Sequence, residues 1–272
     1  MIRADSDSNY LQLFEGGTDS SHVAILHSNQ ANPSWLKDEF EAVDEDFNPG
    51  AISVDDNAPT LEIADTEYGY HYAAKRQGPA GDDGRESYSV RVTPVLLPMC
   101  RIIPAPAFQF YVFEVPLHDG RTSTYLVSHG PNPVPRADIL RIMGLDNTQF
   151  FDDETCQFEA TWADRLGQDR AGMKNSWSGF AGIEQEDSIM ALSMGPVVDR
   201  TKETLVAADR AVVHLRRRLL ESVRRNEAGE SPIGLDATDM ASVQALCDTV
   251  VRAGEQWQEL LPGNMQDPHR SR

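Results

Sequence analysis

The sequence lacks several features that would place it in well-defined classes of protein. It contains only three cysteines, Cys100, Cys156 and Cys247, and their odd number and wide spacing imply no disulfide framework. No apolar run approaches the roughly 20 residues of a membrane-spanning helix. The polar N-terminus also lacks the apolar stretch of a signal peptide. We therefore expect a cytoplasmic protein with no membrane segment.

Positive charge is also scarce. The 24 Lys and Arg residues are outnumbered by 43 Asp and Glu residues, which gives a formal net charge of −19 at pH 7. Nucleic acids and anionic membranes both require a basic face, so the acidity argues against either partner. The length allows one sizeable hydrophobic core. We predict a single domain over residues 1–262 and a flexible tail over residues 263–272.

The pattern of apolar residues predicts a mixed α+β fold. Period-two alternation between Thr60 and Val127, with Asp119-Gly120 as a hairpin turn, predicts an antiparallel sheet. Before it, we expect residues 1–9 to be loose, a helix over residues 10–26, and an irregular acidic loop over residues 28–59. A Gly- and Asp-rich loop is expected over residues 78–84.

The region after the sheet is predicted to be mostly helical. A short helix is expected over residues 135–143, and a last helix is expected after a cap at Asp236 or Thr238. Between them lies a long amphipathic helix, whose apolar stripe steps by three and four residues: Leu205, Ala208, Val212, Leu215, Leu219 and Val223. Five arginines lie largely off this stripe and are expected to form a solvated face: Arg216, Arg217, Arg218, Arg224 and Arg225.

One segment of the predicted N-terminal helix has the residues of a metal site. Residues 15–27 read E-G-G-T-D-S-S-H-V-A-I-L-H, with Asp19 three residues before His22 and His27 five residues after it. Neutral imidazoles are good ligands for transition metals. Five steps of about 100° each would leave the two rings about 140° apart on a regular helix. Both can reach one ion only if the helix bulges or ends between them; otherwise they are ordinary helix residues.

The spacing D-x2-H-x4-H after E-G-G resembles the mononuclear-iron motif of Rieske-type aromatic-ring oxygenases. The resemblance implies that His22 and His27 bind a non-haem Fe(II) ion and that Asp19 is the electron bridge. A second block, S-M-G-P-V-V-D-R-T-K-E over residues 193–203, is similar to the phthalate 4,5-dioxygenase branch, which includes aromatic O-demethylases. That branch implies an acid ahead of the block as third ligand.

By position, the implied third ligand is Asp187, with Glu184 and Glu186 as fallback candidates. The alternative is that Asp187 caps or solvates the start of a helix, which acids do readily. We expect Asp199, Arg200 and Glu203, which belong to the second block, to form a structural or subunit-interface network.

The resemblance also implies a fold, a reaction and partners. The fold would be the helix-grip (START-type) arrangement, with the antiparallel sheet wrapped round the long C-terminal helix. The reaction would be O2-dependent hydroxylation or O-demethylation of an aromatic acid. None of the three cysteines begins the C-x-H or C-x2-H pairs of a Rieske centre. We therefore expect no [2Fe–2S] site in this chain, and electrons from a Rieske protein or domain and an NAD(P)H-dependent reductase. A homotrimer is expected.

Two other functions remain open at this point. The chain is then either a truncated product that binds iron without turnover, or a non-enzymatic carrier that uses a helix-grip cavity for an apolar ligand. The substrate is not readable from the sequence. Phe108, Phe110, Trp177 and Met190 are pocket candidates for which core packing is the stronger expectation. For a substrate carboxylate the candidates are Arg91 and Arg101, although solvation or an ordinary ion pair is favoured for both.

Overall fold

A computed structural model describes residues 1–28, 58–78, 85–104, 109–130, 134–174, 176–238 and 240–261. Most of the predicted loops over residues 28–59 and 78–84, and the tail over residues 263–272, lie outside these ranges, as does Phe108. The strands are β1 (Ile2–Ser6), β2 (Thr60–Thr66), β3 (Gly69–Gln77), β4 (Ser87–Leu96), β5 (Cys100–Pro104), β6 (Gln109–His118), β7 (Arg121–His129), β8 (Phe151–Asp152), β9 (Gln157–Phe158) and β10 (Leu246–Arg252). The helices are α1 (Tyr10–Gly16), α2 (Val23–Leu26), α3 (Arg136–Met143), α4 (Ile183–Ser193) and α5 (Arg210–Glu227).

The described strands form one large, mainly antiparallel sheet, so the predicted α+β class is confirmed. Its order is β2-β3-β4-β5-β6-β7-β1-β9-β8, with β10 pairing with β4. The predicted hairpin joins β6 to β7, and only the short β1–β9 contact is parallel among these pairs. Since most neighbours along the chain are neighbours in the sheet, short turns suffice to connect them.

The prediction that residues 1–9 are loose is wrong, because β1 pairs with β7 over five residues. Ile2 and Ala4 are buried in the core. The polar Asp5 is also buried, and its carboxylate accepts hydrogen bonds from Ser123 and from the guanidinium of Arg3. A buried carboxylate that is fully hydrogen-bonded is tolerated in a strand, and these partners cannot be recognised from the local sequence.

One face of the sheet is covered by helices. Directly paired residues share a face, and Tyr70, Val95, Arg101 and Val112 follow one another across β3 to β6 in this way. On that face, Ala211 and Leu215 of α5 pack with Phe14 of α1 against β2–β4: Leu61, Tyr70, Tyr72, Ala74 and Val95. Further along, Ile139 and Met143 of α3 pack against β1, β6 and β7. The candidate site lies on this helical side.

The predicted last helix is wrong, since β10 and two 3-10 turns, Met240–Ser242 and Trp257–Leu260, occupy this region. Leu246 and Val250 are four residues apart, a spacing that fits a helix as well as one face of a strand. Val250 is 50% exposed whereas Val251 is buried against Val90 and Val92, which is the alternation of a strand.

The long helix is present but shorter than its apolar stripe predicts. It begins at Arg210, and its buried residues are Ala211, Val212 and Leu215. Leu205 and Val223, at the two ends of the predicted stripe, are exposed. The helix therefore buries mainly its first turns against the sheet. No helix in the described ranges is long and apolar enough to cross a membrane.

Candidate metal centre

The predicted helix over residues 10–26 is divided in two, because α1 ends at Gly16 and α2 begins only at Val23. The carboxylate of Asp19 accepts the backbone N–H groups of Ser21 at 2.8 Å and His22 at 3.2 Å. Such a local turn competes with helix formation. The single turn of α2 follows, with His22 directly before it and His27 directly after it. Because α2 ends at Leu26, directly before His27, the two histidines do not lie on one continuous helix. This is one of the two geometries that let both reach one ion.

Three side-chain atoms converge at this break. The Nε2 atoms of His22 and His27 are 3.2 Å apart. The Oδ1 atom of Asp187 lies 3.2 Å from Nε2 of His27 and 3.7 Å from Nε2 of His22. Asp187 comes from α4, 160 residues further along the chain than His27, so only folding brings the three together.

The separations suit a shared metal ion. Two ligands about 2.1 Å from one ion lie about 3.0 Å apart at a right angle and about 3.4 Å apart at a tetrahedral angle. All three ligand atoms lie within 4.8 Å of one another, a group able to hold a metal ion. Two imidazoles and one carboxylate on one side of an ion, with the other side open, are the donor set typical of non-haem Fe(II) sites.

Both histidines have a carboxylate on the ring nitrogen that faces away from the cluster. Nδ1 of His27 lies 2.6 Å from Oε2 of Glu186, which is fully buried. The hydroxyl of Ser178 donates to the other oxygen of Glu186. Nδ1 of His22 lies 3.5 Å from Oδ2 of Asp19. At His27 the carboxylate accepts a hydrogen bond from Nδ1 and so selects the tautomer that leaves Nε2 free for a metal. At His22 the contact is electrostatic, because Nδ1 has no hydrogen-bond partner among the described residues.

The third-ligand candidates are separated by this arrangement. Asp187 is the fifth residue of α4, whose N-cap is Gly182, so the capping alternative for Asp187 is wrong. Of the fallback candidates, Glu186 faces His27 from behind and Glu184 accepts a hydrogen bond from Ser188. Neither contributes an atom to the three-ligand group. Sequence reasoning missed Ser178 because no spacing pattern marks a hydroxyl that contacts an acid eight residues away.

Charge within the cluster shifts several pKa values. Burial opposes the protonation of His27, but the charges of Asp187 and Glu186 prevail and raise its pKa to about 10. Burial would raise the pKa of Asp187, yet the charge and hydrogen bond of His27 lower it. For Asp19, burial is likewise outweighed by the charge of His22 and by the backbone N–H groups of Ser21 and His22, and its pKa is lowered.

The candidate pocket residues have different environments. Phe110 is buried in the core, as expected. Trp177 and Met190 are 59% and 48% exposed, so the expectation of core packing is wrong for both. Arg101 is buried and donates to Glu114 at 2.8 Å, which agrees with the ion-pair expectation.

The second block forms an ion-pair network with the motif segment. Glu15 receives a bidentate contact from Arg216 of α5, at 2.7 and 2.8 Å, and a bond from Arg200 at 2.9 Å. Arg216 also bonds Glu203, while Asp199 caps the 3-10 turn Arg200–Lys202. The network ties α1, the second block and α5 together. The expected solvated face is therefore wrong for Arg216, whose guanidinium is fully engaged.

The fold and the cluster define a mixed α+β domain with a candidate metal site of two histidines and one carboxylate. The chain belongs to the family described as LigXa C-terminal domain like, whose model matches residues 1–269. This membership confirms the resemblance to the catalytic oxygenase domain of the Rieske-type ring oxygenases.

Named relatives agree with this family. The chain is 30% identical over 254 residues to the phthalate 4,5-dioxygenase oxygenase subunit of Pseudomonas putida, covering 92% of this chain and 56% of that protein. It is 27% identical over 250 residues to the 3-chlorobenzoate-3,4-dioxygenase oxygenase subunit of Comamonas testosteroni, covering 85% of this chain and 55% of that protein. The chain thus spans about half the length of these relatives. Among solved structures, dicamba monooxygenase bound to 3,6-dichlorosalicylic acid aligns with a TM-score of 0.45 and 12% identity, over 84% of this chain and 59% of the other.

Proposed function

We propose that this chain carries the iron site of an aromatic-ring oxygenase, with His22, His27 and Asp187 as ligands of a mononuclear Fe(II) ion. The observation that carries the proposal is the convergence of two Nε2 atoms and one Oδ1 atom within 3.2 to 3.7 Å of one another. When bound, such an ion supplies the electron-transfer chemistry that activates O2 for attack on an aromatic acid, by hydroxylation or O-demethylation. The relatives named dioxygenase oxygenase subunits support this reaction class.

Neighbouring side chains orient the proposed ligands and determine which side of the site is exposed. Glu186 holds the ring of His27 through Nδ1, and Ser178 holds Glu186. Because His27 and Glu186 are almost fully buried, this side of the site is shielded from water. The side chains of His22 and Asp187 are 22% and 25% exposed, which leaves the opposite side accessible to small molecules.

Asp19 is the proposed electron bridge. Its carboxylate is 27% exposed and lies 3.5 Å from Nδ1 of His22, so it connects the surface to a ligand in one step. The electrons would come from an NAD(P)H-dependent reductase and would pass through a Rieske [2Fe–2S] centre outside these 272 residues.

Other features of the assembly belong to the same proposal. A helix-grip fold is supported by the packing of Ala211 and Leu215 of α5 onto β2–β4. The homotrimer, the cytoplasmic location and the single domain over residues 1–262 stay predictions, and sedimentation, fractionation and limited proteolysis test them.

Anaerobic reconstitution with Fe(II) and metal counting tests the proposal. We expect one iron per chain in the wild type and a large loss in His22→Ala and Asp187→Ala, since each removes one of three ligands. His118→Ala, in the exposed β6–β7 hairpin, is the matched control and should keep the iron. A wild type without iron, or equal iron binding after His22→Ala, would refute both iron-binding hypotheses. The non-enzymatic carrier of an apolar ligand would then be the remaining hypothesis. Iron without turnover on aromatic acids, with a Rieske protein and reductase supplied, would identify the inactive form.

A further inference from the structure

The two glycines of the motif segment have different surroundings. A Cβ atom built on Gly16 would meet no atom of the described residues within 4 Å. A Cβ atom on Gly17 would lie 1.8 Å from Nε and 2.0 Å from Cζ of Arg101. The backbone of Gly17, with φ −69° and ψ −8°, is one that any residue adopts. Glycine at position 17 is therefore required for space, and the side chain that occupies this space is Arg101.

Arg101 is a firmly anchored side chain. It lies on β5, is 5% exposed, and its Nη1 donates to Glu114 of β6 at 2.8 Å. Glu114 is 1% exposed and also accepts from the hydroxyl of Thr124 at 2.6 Å. Nε of Arg101 has no hydrogen-bond partner among the described residues, because it faces the Cα atom of Gly17. An ion pair held at this depth does not move aside cheaply.

The segment after Gly17 rests on the same face of the sheet. The hydroxyl of Tyr72 donates to the carbonyl of Gly17 at 3.3 Å, and Arg76 donates to the carbonyl of Ser20 at 3.3 Å. The side chains of Thr18 and Ser20 are buried. The position of residues 17–20 above the sheet is thus set by side chains beneath it, and this segment leads directly to His22.

We propose that Arg101 is a positioning residue of the metal site. Its guanidinium occupies the space of a side chain at residue 17, and so sets the distance of residues 17–20 from the sheet and the position of His22 relative to Asp187. The role rests on the proposed metal site, and it explains why residue 17, two positions before Asp19, is a glycine. The cation also lies among acids: the charges of Glu114, Asp187 and Glu184 outweigh its burial and raise the pKa of Arg101.

A comparison of Gly17→Ala with Gly16→Ala tests the proposal. Metal-free protein is titrated anaerobically with Co(II), whose visible spectrum reports ligand geometry, and folding is followed by circular dichroism. We expect Gly17→Ala to lose on the order of 10- to 100-fold in Co(II) affinity, as for the loss of other groups that orient ligands, and to change the spectrum. Gly16→Ala should stay within roughly twofold of the wild type, since the described part of the chain has no atom within 4 Å of the added methyl group.

A rescue experiment assigns the effect to Arg101. The pair Arg101→Ala and Glu114→Gln removes the ion pair without leaving a buried charge, and should alter the Co(II) spectrum by itself. In this background, adding Gly17→Ala should cost no more than roughly twofold. If Gly17→Ala does not fold, the spectrum of the pair variant decides the matter.

Three results would overturn the inference. They are wild-type affinity and spectrum in Gly17→Ala, an equal loss with and without Arg101, and a lower melting temperature with an unchanged spectrum in the pair variant. A wild type that binds no Co(II) or Fe(II) would instead refute the proposed function. A site lost in His22→Ala but kept in Gly17→Ala refutes the positioning role alone.

Discussion

Lowering the pH should destabilise this fold through one buried histidine far from the candidate metal centre. His71 lies on β3, is 1% exposed, and faces away from the helical side, where it pairs with Ala64 and Pro94 and contacts the ring of Trp257. Its Nε2 lies 2.5 Å from the hydroxyl of Tyr68. Burial lowers the pKa of His71 to about 4.

The sign and size of the effect follow from this shift. An unfolded histidine has a pKa of about 6.5, so between pH 6.5 and 4 the unfolded chain binds the proton that the folded chain refuses. Stability is therefore lost as the pH falls through this window. The full difference of about 2.5 units corresponds to about 3 kcal/mol, of which about 2 kcal/mol is lost by pH 5. This is a large share of a typical total of roughly 5–15 kcal/mol.

Urea unfolding between pH 7.5 and 5 checks the effect, with a chelator present to exclude metal linkage. His71→Gln, which keeps an acceptor for Tyr68 without a titrating ring, should be flatter with pH than the wild type by about 2 kcal/mol. His118→Gln, at an exposed hairpin position, is the control and should follow the wild type. Parallel loss of stability in the wild type and His71→Gln would refute the reasoning.

Three further substitutions test other parts of the structure. Glu186→Gln should weaken metal binding by about 10- to 100-fold, because it removes the charge behind His27. Metal titration checks this, with Glu184→Gln as the control, because burial and nearby acids already raise the pKa of the Glu184 carboxyl. Arg216→Met should cost about 1–3 kcal/mol in urea unfolding by leaving Glu15 and Glu203 without their shared partner, and Lys202→Met, 82% exposed, should cost almost nothing. Phe14→Ala, at a fully buried position, should cost about 3–5 kcal/mol by opening a cavity beneath α1.

The sequence was sufficient for the parts of the fold in which periodicity and burial coincide. Period-two alternation locates β2, β3, β4, β6 and β7, and Asp119-Gly120 locates the hairpin between the last two, whereas it does not predict β5. It failed for β1, whose polar Asp5 is stabilised by Ser123, more than a hundred residues away. It also failed for β10, because a four-residue spacing serves a helix and one face of a strand equally well.

For the site, the sequence identified the residue types and the order of the candidate ligands. The structure brings His22, His27 and Asp187 together, while their role as ligands stays a prediction. The parts that could not be read were the supports, since Glu186, Ser178 and Arg101 act through contacts between distant segments. Their residue types are common at the surface as well, so only the fold distinguishes them.

The awkward spacing of the histidines is itself informative about how this site is built. On one continuous helix, ligands for a single ion would have to lie three or four residues apart. A spacing of five becomes useful if the helix bulges, or if it is reduced to a single turn with a histidine at each end, as α2 is. Such a turn has too few hydrogen bonds to be stable alone. It must therefore be held by contacts from outside, and Asp19 at its start, Glu186 at its end and Arg101 beneath the preceding residues provide them. The conformation of the motif is thus set by its surroundings. Substitutions that leave the histidines intact but remove these contacts should therefore weaken metal binding, because the ligands lose their orientation.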